Sequence, residues 1–316
     1  MKRILLFANL LCMALCTNSC LAGKYMCNYA LKPENHGPAD IERTRAKADS
    51  LSPGSIAWYD GLKAQGILKD TVITGYNGYP IHAAYLPAEG KAQGTAIVVD
   101  GYTDNHYVFL YLVRMYRDEF GFNVFFPDLQ YFGYSEGPAA QMGWFDCYDV
   151  ERWAEVAHGI FRDDFMVIHG VSMGAAATMM MSGDELPPYV RAFVEDCGYS
   201  SVWEQFASVL KSSFHLPPFP VLTSANIVCK HRYGWGFKEA SSVDQLAKCD
   251  RPMLFIHGDS DSFVPFSHLQ KNYDAKVLGY KEMWVSEGAV HANSYSRHPK
   301  EYTERVRAFL EKARTL

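Results

Sequence analysis

One stretch near the middle of the chain restricts the possible folds more than any other. Residues 165–169 form a short apolar run that is typical of a fully buried strand. Residues 175–181 favour a helix and contain no helix breaker. Between them lies Gly170–Gly174, with the sequence Gly-Val-Ser-Met-Gly, whose glycines allow close backbone approach. The stretch therefore predicts a strand, a tight turn and a helix in direct succession.

The same alternation of strands and helices continues through the chain. The predicted strands are Thr95–Asp100, Phe122–Phe126, Phe165–His169, Val190–Glu195, Pro252–His257 and Lys281–Ser286, and the predicted helices cover about 107–120, 148–160, 172–183, 265–274 and 298–314. Before them, residues 71–76 and 79–86 are split by Asn77-Gly78 and predict a hairpin. Near-continuous apolar strands that alternate with helices indicate a mostly parallel central sheet with helices on both faces. The predicted fold class is therefore α/β.

Two stretches lie outside this alternation. Residues 38–66 have a helical pattern, so we expect residues 23–69 to form a helical extension before a main domain at 70–316. Residues 199–250 separate two predicted strands and are rich in aromatic residues and proline. An insertion of this length predicts a small helical cap over the carboxyl edge of the sheet, where such folds bind ligands. An ordinary packed crossover is the alternative.

The first 22 residues resemble a secretory signal peptide. A basic start is followed by an apolar run over Ile4–Cys16, and Cys20–Ala22 offers a cleavage site. We therefore expect residues 1–22 to be removed on export to the periplasm, cell surface or exterior. Lipidation at Cys20 is an alternative, although Thr17 stands where that signal usually has an aliphatic residue. No later stretch approaches ~18 apolar residues, so no transmembrane span is predicted.

Charge and cysteine content restrict the possible partners. The formal net charge is −5, which gives no indication of nucleic-acid binding. Five cysteines follow the predicted cleavage site: Cys27, Cys147, Cys197, Cys229 and Cys249. Because five is odd, at least one is unpaired or pairs between chains. No two of them have the spacing of zinc ligands, and the sequence implies neither a metal nor an organic cofactor.

The pattern Gly-x-Ser-x-Gly occurs twice in the chain. In Gly133–Gly137 the preceding predicted strand already ends before Pro127, and several residues intervene. Glu136 also lies beside the hydroxyl of Ser135 and would oppose its ionisation. Only Ser172 has a strand directly before it and a helix directly after it, which is the setting of a nucleophilic serine. We therefore predict Ser172 as a nucleophile, with a helix cap as the alternative role.

A nucleophilic serine needs an adjacent base, which in this kind of fold follows it in the chain. Four histidines are late enough: His257, His268, His291 and His298. His257 ends a predicted strand and is expected to be buried, whereas His268 and His298 are expected to be solvated. His291 lies in the loop 288–294 after the last strand, from which it can reach the serine. We predict His291 as the base.

An acid that orients this base is expected after the strand that precedes the histidine loop. The loop 258–265 offers Asp259 and Asp261, and Asp196 follows the strand before that. Spacing alone does not choose among these carboxylates. Those that do not serve as the acid are expected to cap turns or helices.

Acyl chemistry also needs two backbone N–H groups that face the developing negative charge. One is expected from Met173, which follows the serine directly. The other is expected from the loop after residues 95–100. In that loop Gly101 allows close approach, and Tyr102 is the predicted donor.

Together these motifs resemble the α/β-hydrolase superfamily, in particular its bacterial branch of serine aminopeptidase-like or cell-surface hydrolases. The residues that carry the resemblance are Gly101–Thr103, Pro127–Leu129, Gly133–Gly137, His169–Gly174, His257–Asp261, Val264-Pro265 and His291. In that family an Asp-x-x-Val-Pro motif carries the acid, which favours Asp261 over Asp259. The resemblance also implies that Gly133–Gly137 is a structural loop. Asp100 is a departure, since these enzymes commonly have histidine before the glycine.

These expectations combine into an exported serine hydrolase that cleaves acyl bonds through an acyl-enzyme intermediate. Ser172 attacks, His291 transfers the proton and Asp261 orients the imidazole. The amides of Tyr102 and Met173 form the oxyanion hole.

Three substrate or function classes remain open at this point. A carboxylic ester of modest size is expected, because an aromatic and apolar cap suits acyl or aryl groups. A peptidase that acts on short peptides is the alternative, and it would need a carboxylate such as Glu204 or Glu239 to bind the free amine. The third possibility is a non-catalytic binding protein on a hydrolase fold.

Overall fold

The computed structural model of the protein describes residues 21–34 and 38–316. The described chain divides into two compact units. The first, called the helical unit, contains residues 21–33 and 201–240. The second, called the sheet unit, contains residues 34, 38–200 and 241–316. Most of the predicted signal peptide, including Cys20, lies outside the described residues.

The sheet unit is built on one eight-stranded sheet. Its strands are β1 (Lys69–Thr74), β2 (Pro80–Leu86), β3 (Thr95–Val99), β4 (Asn123–Pro127), β5 (Met166–Val171), β6 (Val190–Asp196), β7 (Met253–Gly258) and β8 (Lys281–Ser286). They lie in the order β1-β2-β4-β3-β5-β6-β7-β8. The β1–β2 and β2–β4 pairs are antiparallel, and all other pairs are parallel. The predicted α/β class with a mostly parallel sheet is confirmed.

Burial explains why the central strands are apolar. Every residue of β3, β4, β5 and β7 is buried, as expected for strands covered on both faces. The edge strand β1 instead has only exposed or half-buried residues. The helices of this unit are α2 (Pro38–Leu51), α3 (Ser55–Ala64), α4 (Leu110–Arg114), α5 (Asp146–Phe161), α6 (Met173–Met181), α9 (Ser242–Leu246), α10 (Ser267–Ala275), α11 (Ser294–Arg297) and α12 (Pro299–Arg314).

The first predicted helix of the main domain is shorter than expected. The pattern predicted helix over about 107–120, whereas α4 begins at Leu110 and continues as a π-helical turn over Met115–Glu119. The residues before Leu110 form turns, in which Val108 N donates to Asn105 O over 3.0 Å. The apolar run of the sequence does not separate such turns from a helix, because both bury the same side chains.

The helical unit consists of α1 (21–31), α7 (Val202–Phe214) and α8 (Val221–Tyr233). The N-terminus of α7 is capped by Ser201, whose hydroxyl accepts from the amide of Glu204 over 3.2 Å. Residues 241–250 of the predicted insertion belong to the sheet unit, and so do residues 38–69 of the predicted extension. Within the described residues, no helix combines the length and the apolar character that crossing a bilayer requires.

The topology decides where a site can form in the sheet unit. The strands β3, β5, β6, β7 and β8 are parallel, so their carboxyl ends meet at one edge of the sheet. The segments that follow these ends contain all the residues predicted to act in acyl chemistry. Side chains far apart in sequence can therefore converge there.

Candidate active site

Ser172 lies at the turn between β5 and α6 in a strained backbone conformation. Its φ of 58° and ψ of −113° are rare for a residue with a side chain. The turn is held by hydrogen bonds from Ser172 N to Asp196 O (2.8 Å) and from Ala176 N to Ser172 O (3.0 Å). The Ser172 hydroxyl does not cap α6. The strain therefore orients the hydroxyl away from the helix backbone.

Close packing explains the two glycines of this turn. A Cβ atom on Gly170 would lie 2.1 Å from the carbonyl oxygen of Gly174. A Cβ atom on Gly174 would lie 2.3 Å from the carbonyl oxygen of Val99 at the end of β3. Neither position has room for a side chain, so the motif is required by the contact between α6 and the sheet.

The structure brings Ser172, His291 and Asp261 together in one chain of hydrogen bonds. Ser172 Oγ lies 2.8 Å from His291 Nε2, and His291 Nδ1 lies 2.7 Å from Asp261 Oδ2. With Nδ1 protonated, the imidazole donates to the carboxylate and its Nε2 accepts from the serine hydroxyl. This is the geometry in which an imidazole can remove the hydroxyl proton.

The carboxylate of Asp261 is fixed on its other side by the loop backbone. Its Oδ1 accepts from the amides of Phe263 and Val264, both over 2.9 Å. Burial opposes ionisation, but hydrogen bonds from His257 and His291 outweigh it and lower the pKa of Asp261 to about 2. Asp261 is therefore charged at neutral pH and held in one orientation.

A second histidine, His257, contacts the same carboxylate. Its Nε2 lies 3.0 Å from Val264 O and 3.4 Å from Asp261 Oδ2. The sequence indicated a buried side chain at this position, and His257 is fully buried. Its proximity to Asp261 was missed. The available signal was the spacing of four residues between them across the end of β7.

The expectation that His268 is solvated is wrong. Its side chain is buried, and its Nδ1 accepts from the amide (3.1 Å) and hydroxyl (2.8 Å) of Ser200. The cause is that His268 lies on the inner side of α10, next to the buried Leu269 and Asn272. His268 therefore stabilises the segment after β6.

The two alternative carboxylates have other partners. Asp259 Oδ1 accepts from the amide of Gly288 over 2.7 Å, which fixes the turn before His291. Asp196 accepts from the hydroxyls of Tyr302 (3.0 Å) and Ser294 (3.4 Å), and burial raises its pKa to about 6. Of the three acids considered, the structure places Asp261 in contact with His291.

The loop predicted to supply an oxyanion donor lies beside the serine. A Cβ atom on Gly101 would lie 3.6 Å from Ser172 Cβ, and Asp104 N closes a turn on Gly101 O over 3.1 Å. Tyr102 is the next residue of this turn. Met173 is the first residue of α6, where backbone N–H groups have no partner within the helix. Both predicted donors therefore lie in segments that adjoin Ser172.

Asp100, which departs from the family pattern, is completely buried under this loop. Its Oδ1 accepts from the amide of Leu129 over 3.3 Å. Burial, together with the negative charge of Asp128, raises the pKa of Asp100 well above its usual range. Burial therefore favours the neutral form of this carboxyl relative to an exposed aspartate.

The second Gly-x-Ser-x-Gly serine is bonded to backbone groups. Ser135 Oγ donates to Asp128 O over 2.7 Å and accepts from His82 N over 2.8 Å. A Cβ atom on Gly133 would lie 2.3 Å from Asp128 Cγ, and one on Gly137 would lie 2.4 Å from Gln130 Cγ. These glycines allow a loop to pack on Asp128 and Gln130, and no imidazole faces the hydroxyl.

Two groups of potential metal ligands occur within the part of the chain that the structure describes. They are His82, His106 and Asp128, and Cys197, Asp261 and His291. In both groups each imidazole Nδ1 lies 2.7 or 2.8 Å from a carboxylate oxygen. These are the distances of direct hydrogen bonds between an imidazole and a carboxylate. The arrangement fits hydrogen-bonded networks.

A model of the prolyl oligopeptidase family, Peptidase_S9, matches residues 139–315. The chain belongs to this family. The matched segment contains Ser172, Asp261 and His291, and the α/β-hydrolase superfamily predicted from the sequence is confirmed. The enzyme is a hydrolase of that superfamily.

Three proteins illustrate the range of similarity. The uncharacterized protein YqkD of Bacillus subtilis is 29% identical over 241 residues, which cover 76% of this chain and 78% of YqkD. The structure of Pyrococcus furiosus esterase Pf2001 matches with a TM-score of 0.64 and 20% identity over 79% of this chain and 95% of that one. A membrane phospholipase A described as a bacterial virulence factor matches over the whole of both chains, with a TM-score of 0.58 and 18% identity. The two solved structures share the fold.

Proposed function

We propose that this hydrolase is a serine hydrolase that cleaves carboxylic esters, with Ser172 as its nucleophile. The observation that carries the proposal is the hydrogen-bonded chain from Ser172 Oγ through His291 to Asp261, with links of 2.8 and 2.7 Å. It gives the hydroxyl a base and gives the base a fixed orientation.

In the first half of the reaction, Ser172 Oγ attacks the carbonyl carbon of the substrate. His291 Nε2 takes the hydroxyl proton, and the imidazolium is stabilised by the charged carboxylate of Asp261. The negative charge on the substrate oxygen is held by the amides of Tyr102 and Met173, the latter at the positive end of α6. His291 then gives its proton to the departing alcohol, which leaves an acyl-serine.

In the second half, His291 activates a water molecule by the same route. The water attacks the acyl carbon, and the same two amides hold the second oxyanion. His291 returns a proton to Ser172 Oγ, which releases the carboxylic acid and restores the starting state. Each step uses only residues that adjoin Ser172 in the sheet unit.

The ester preference is supported by the aromatic and apolar composition of residues 199–250, which suits acyl or aryl groups. A peptidase is the second candidate, because the matching family model is that of prolyl oligopeptidase. An amine-binding carboxylate would favour it, yet Glu239 already pairs with Lys230, and a hydrogen bond from Lys230 lowers its pKa. Glu239 is therefore a poor candidate for that role.

A substrate panel tests this function. We would measure kcat/KM for p-nitrophenyl esters of increasing acyl length beside aminoacyl and peptidyl nitroanilides. The Ser172→Ala variant serves as the inactive control and Ser135→Ala as the matched active one. We expect the wild type and Ser135→Ala to hydrolyse esters far faster than nitroanilides. A higher kcat/KM for the nitroanilides than for the esters would establish the peptidase alternative. If the wild type hydrolyses neither esters nor nitroanilides, the result would support a non-catalytic binding protein.

Export remains part of the proposal and rests on the N-terminal sequence. Cleavage after Ala22 would leave Gly23 as the first residue. N-terminal sequencing of the protein from a native-type bacterial host is expected to start at Gly23. A lipid-modified Cys20 would establish the lipoprotein alternative, and an intact Met1 in the cytoplasm would contradict export.

A further inference from the structure

Two cysteines of the helical unit contact each other. The thiols of Cys27 on α1 and Cys229 on α8 are both free and lie close enough for each to shift the pKa of the other. Both side chains are completely buried. The other cysteines of the described chain have different neighbours, such as the backbone carbonyl of Trp144 for Cys147.

The packing of the two helices brings these thiols together. Gly23, Cys27 and Leu31 are buried at intervals of four residues along α1 and so form one face of that helix. A Cβ atom on Gly23 would lie 2.5 Å from Ser224 Cβ and 2.9 Å from Ala225 N, so the backbones touch at this point. The glycine is what permits so close an approach.

The contacts continue in register along both helices. Gly23 contacts Ala225. Cys27 follows Gly23 by one helical turn, and Cys229 follows Ala225 by the same distance on the other helix. Beyond them, Asn28 Oδ1 accepts from the guanidinium of Arg232 over 2.6 Å. The helices therefore run in parallel through this contact. Disulfides need Cα atoms about 4.4 to 6.8 Å apart, which helices reach only where small residues bring the backbones close.

We propose that Cys27 and Cys229 form a disulfide that cross-links the N-terminal helix α1 to α8. Formation needs a disulfide oxidant, such as glutathione disulfide or a thiol–disulfide oxidoreductase of the exporting compartment. The bond joins positions 27 and 229, and it leaves Cys147, Cys197 and Cys249 as thiols.

The exchange proceeds in two balanced steps while α1 docks on α8. The Cys27 thiolate attacks one sulfur of the oxidant, which breaks the oxidant's S–S bond and releases one thiol. The Cys229 thiolate then attacks Cys27 Sγ in the mixed disulfide, forms the new bond and releases the second thiol. Two electrons and two protons pass from the cysteines to the oxidant. Cys27 is the better first nucleophile, because its interaction with Cys229 lowers its pKa and the positive charges of Arg232 and Lys32 act in the same direction.

Peptide mapping of the full-length wild type tests the cross-link. The reduced protein is refolded from denaturant with glutathione disulfide, then denatured, alkylated and digested with trypsin. We expect one linked species that joins the peptides 25–43 and 212–230, each of which contains a single cysteine. It should disappear when the sample is reduced before alkylation. We also expect the thermal unfolding midpoint to be several degrees higher in the oxidised protein.

Matched variants assign the bond. Cys249→Ala removes a buried thiol that interacts with the backbone carbonyl of Arg251 and with the ammonium of Lys276, so the linked species and the midpoint difference should both remain. Cys27→Ala and Cys229→Ala should each abolish them. The proposal is overturned if refolded wild type yields both peptides fully alkylated, or if either peptide links to a different cysteine.

Discussion

The two serines of the Gly-x-Ser-x-Gly pattern lie beside similar residues but have different hydrogen-bond partners. Ser172 Oγ is 2.8 Å from His291 Nε2, and His291 bonds Asp261. Ser135 lies next to a histidine and an aspartate as well, but its hydroxyl bonds the backbone of His82 and Asp128. A serine is available for chemistry only when its hydroxyl faces a side-chain base.

The histidine–aspartate pairs behind the two serines also differ. Asp261 and His291 form a chain that ends at a hydroxyl. Asp128 instead bonds two imidazoles, His106 at 2.7 Å and His82 at 2.8 Å, and His82 Nε2 reaches Asp70 at 3.1 Å. This second network joins β1 and β2 to the segments that follow β3 and β4. The same residue types therefore form a chain that ends at a serine hydroxyl in one place and a network that joins strands in the other.

Replacement of each serine gives the largest expected contrast. We expect Ser172→Ala to lower kcat for ester hydrolysis by about 10⁶-fold, because the proposed acyl intermediate forms on the hydroxyl that is removed. Ser135→Ala should leave kcat within about threefold and lower the free energy of unfolding by about 1 to 3 kcal/mol, since two buried backbone groups lose their partner. Steady-state kinetics and urea unfolding measure both. If Ser135→Ala folds normally but loses kcat, Ser135 contributes to hydrolysis and the predicted difference between the two serines is wrong.

Replacement of each aspartate by asparagine separates the two networks. We expect Asp261→Asn to lower kcat by about 10⁴-fold, since the imidazole loses its orientation and tautomer. Asp128→Asn should keep kcat per folded molecule and lose about 3 to 5 kcal/mol of stability, because two buried imidazoles lose their carboxylate. The prediction fails if Asp261→Asn keeps wild-type kcat.

The pH dependence of stability should report on the second network. Burial opposes the charged form of His82, but hydrogen bonds to Asp128 and Asp70 outweigh this and raise its pKa to about 9. A histidine with a raised pKa contributes stability that is full below about pH 6.5 and is lost as the pH rises through about 9. We expect the wild type to lose on the order of 1 to 3 kcal/mol between pH 6.5 and 9.5.

The matched variant for this measurement is His82→Gln. Its unfolding free energy should lack this component between pH 6.5 and 9.5, and the difference from wild type should shrink as the pH rises. The unfolding free energy is measured by urea unfolding at several pH values in this window. If it changes with pH equally in the two proteins, His82 is not charged in the folded state.

The smallest effect is expected at Asp100. Because burial raises its pKa and favours the neutral acid, asparagine is a close replacement. We expect Asp100→Asn to keep kcat within about threefold and unfolding free energy within about 1 kcal/mol. A large gain in kcat would mean instead that a negative charge at Asp100 opposes the oxyanion in the wild type.

Much of the sheet unit could be predicted from sequence because its signals are local. The apolar runs and the turn residues between them predicted the first and last residues of β1–β8 to within two residues. The turn around Ser172 was recognisable because a predicted strand precedes it and a predicted helix follows it. Spacing left Asp259 and Asp261 equivalent. Their difference comes from the loop itself, in which Asp259 faces Gly288 and Asp261 faces His291.

Features that depend on packing between distant segments could not be predicted from the sequence. The network around Asp128 requires β2, β4 and the segment after β3 to be placed first. The contact of Cys27 with Cys229 likewise requires α1 to pack on α8, and no pattern in either helix identifies its partner. The π-helical turn at Met115–Glu119 has no sequence signal that separates it from an ordinary helix.

The most direct test of the central claim is the position of a covalent label. A fluorophosphonate reacts with an activated serine and leaves a stable phosphonyl adduct, which mass spectrometry assigns to one residue. We predict a single adduct on Ser172 in the wild type and in Ser135→Ala, and none in Ser172→Ala. An adduct on Ser135, or undiminished labelling of Ser172→Ala, would contradict this account of the site.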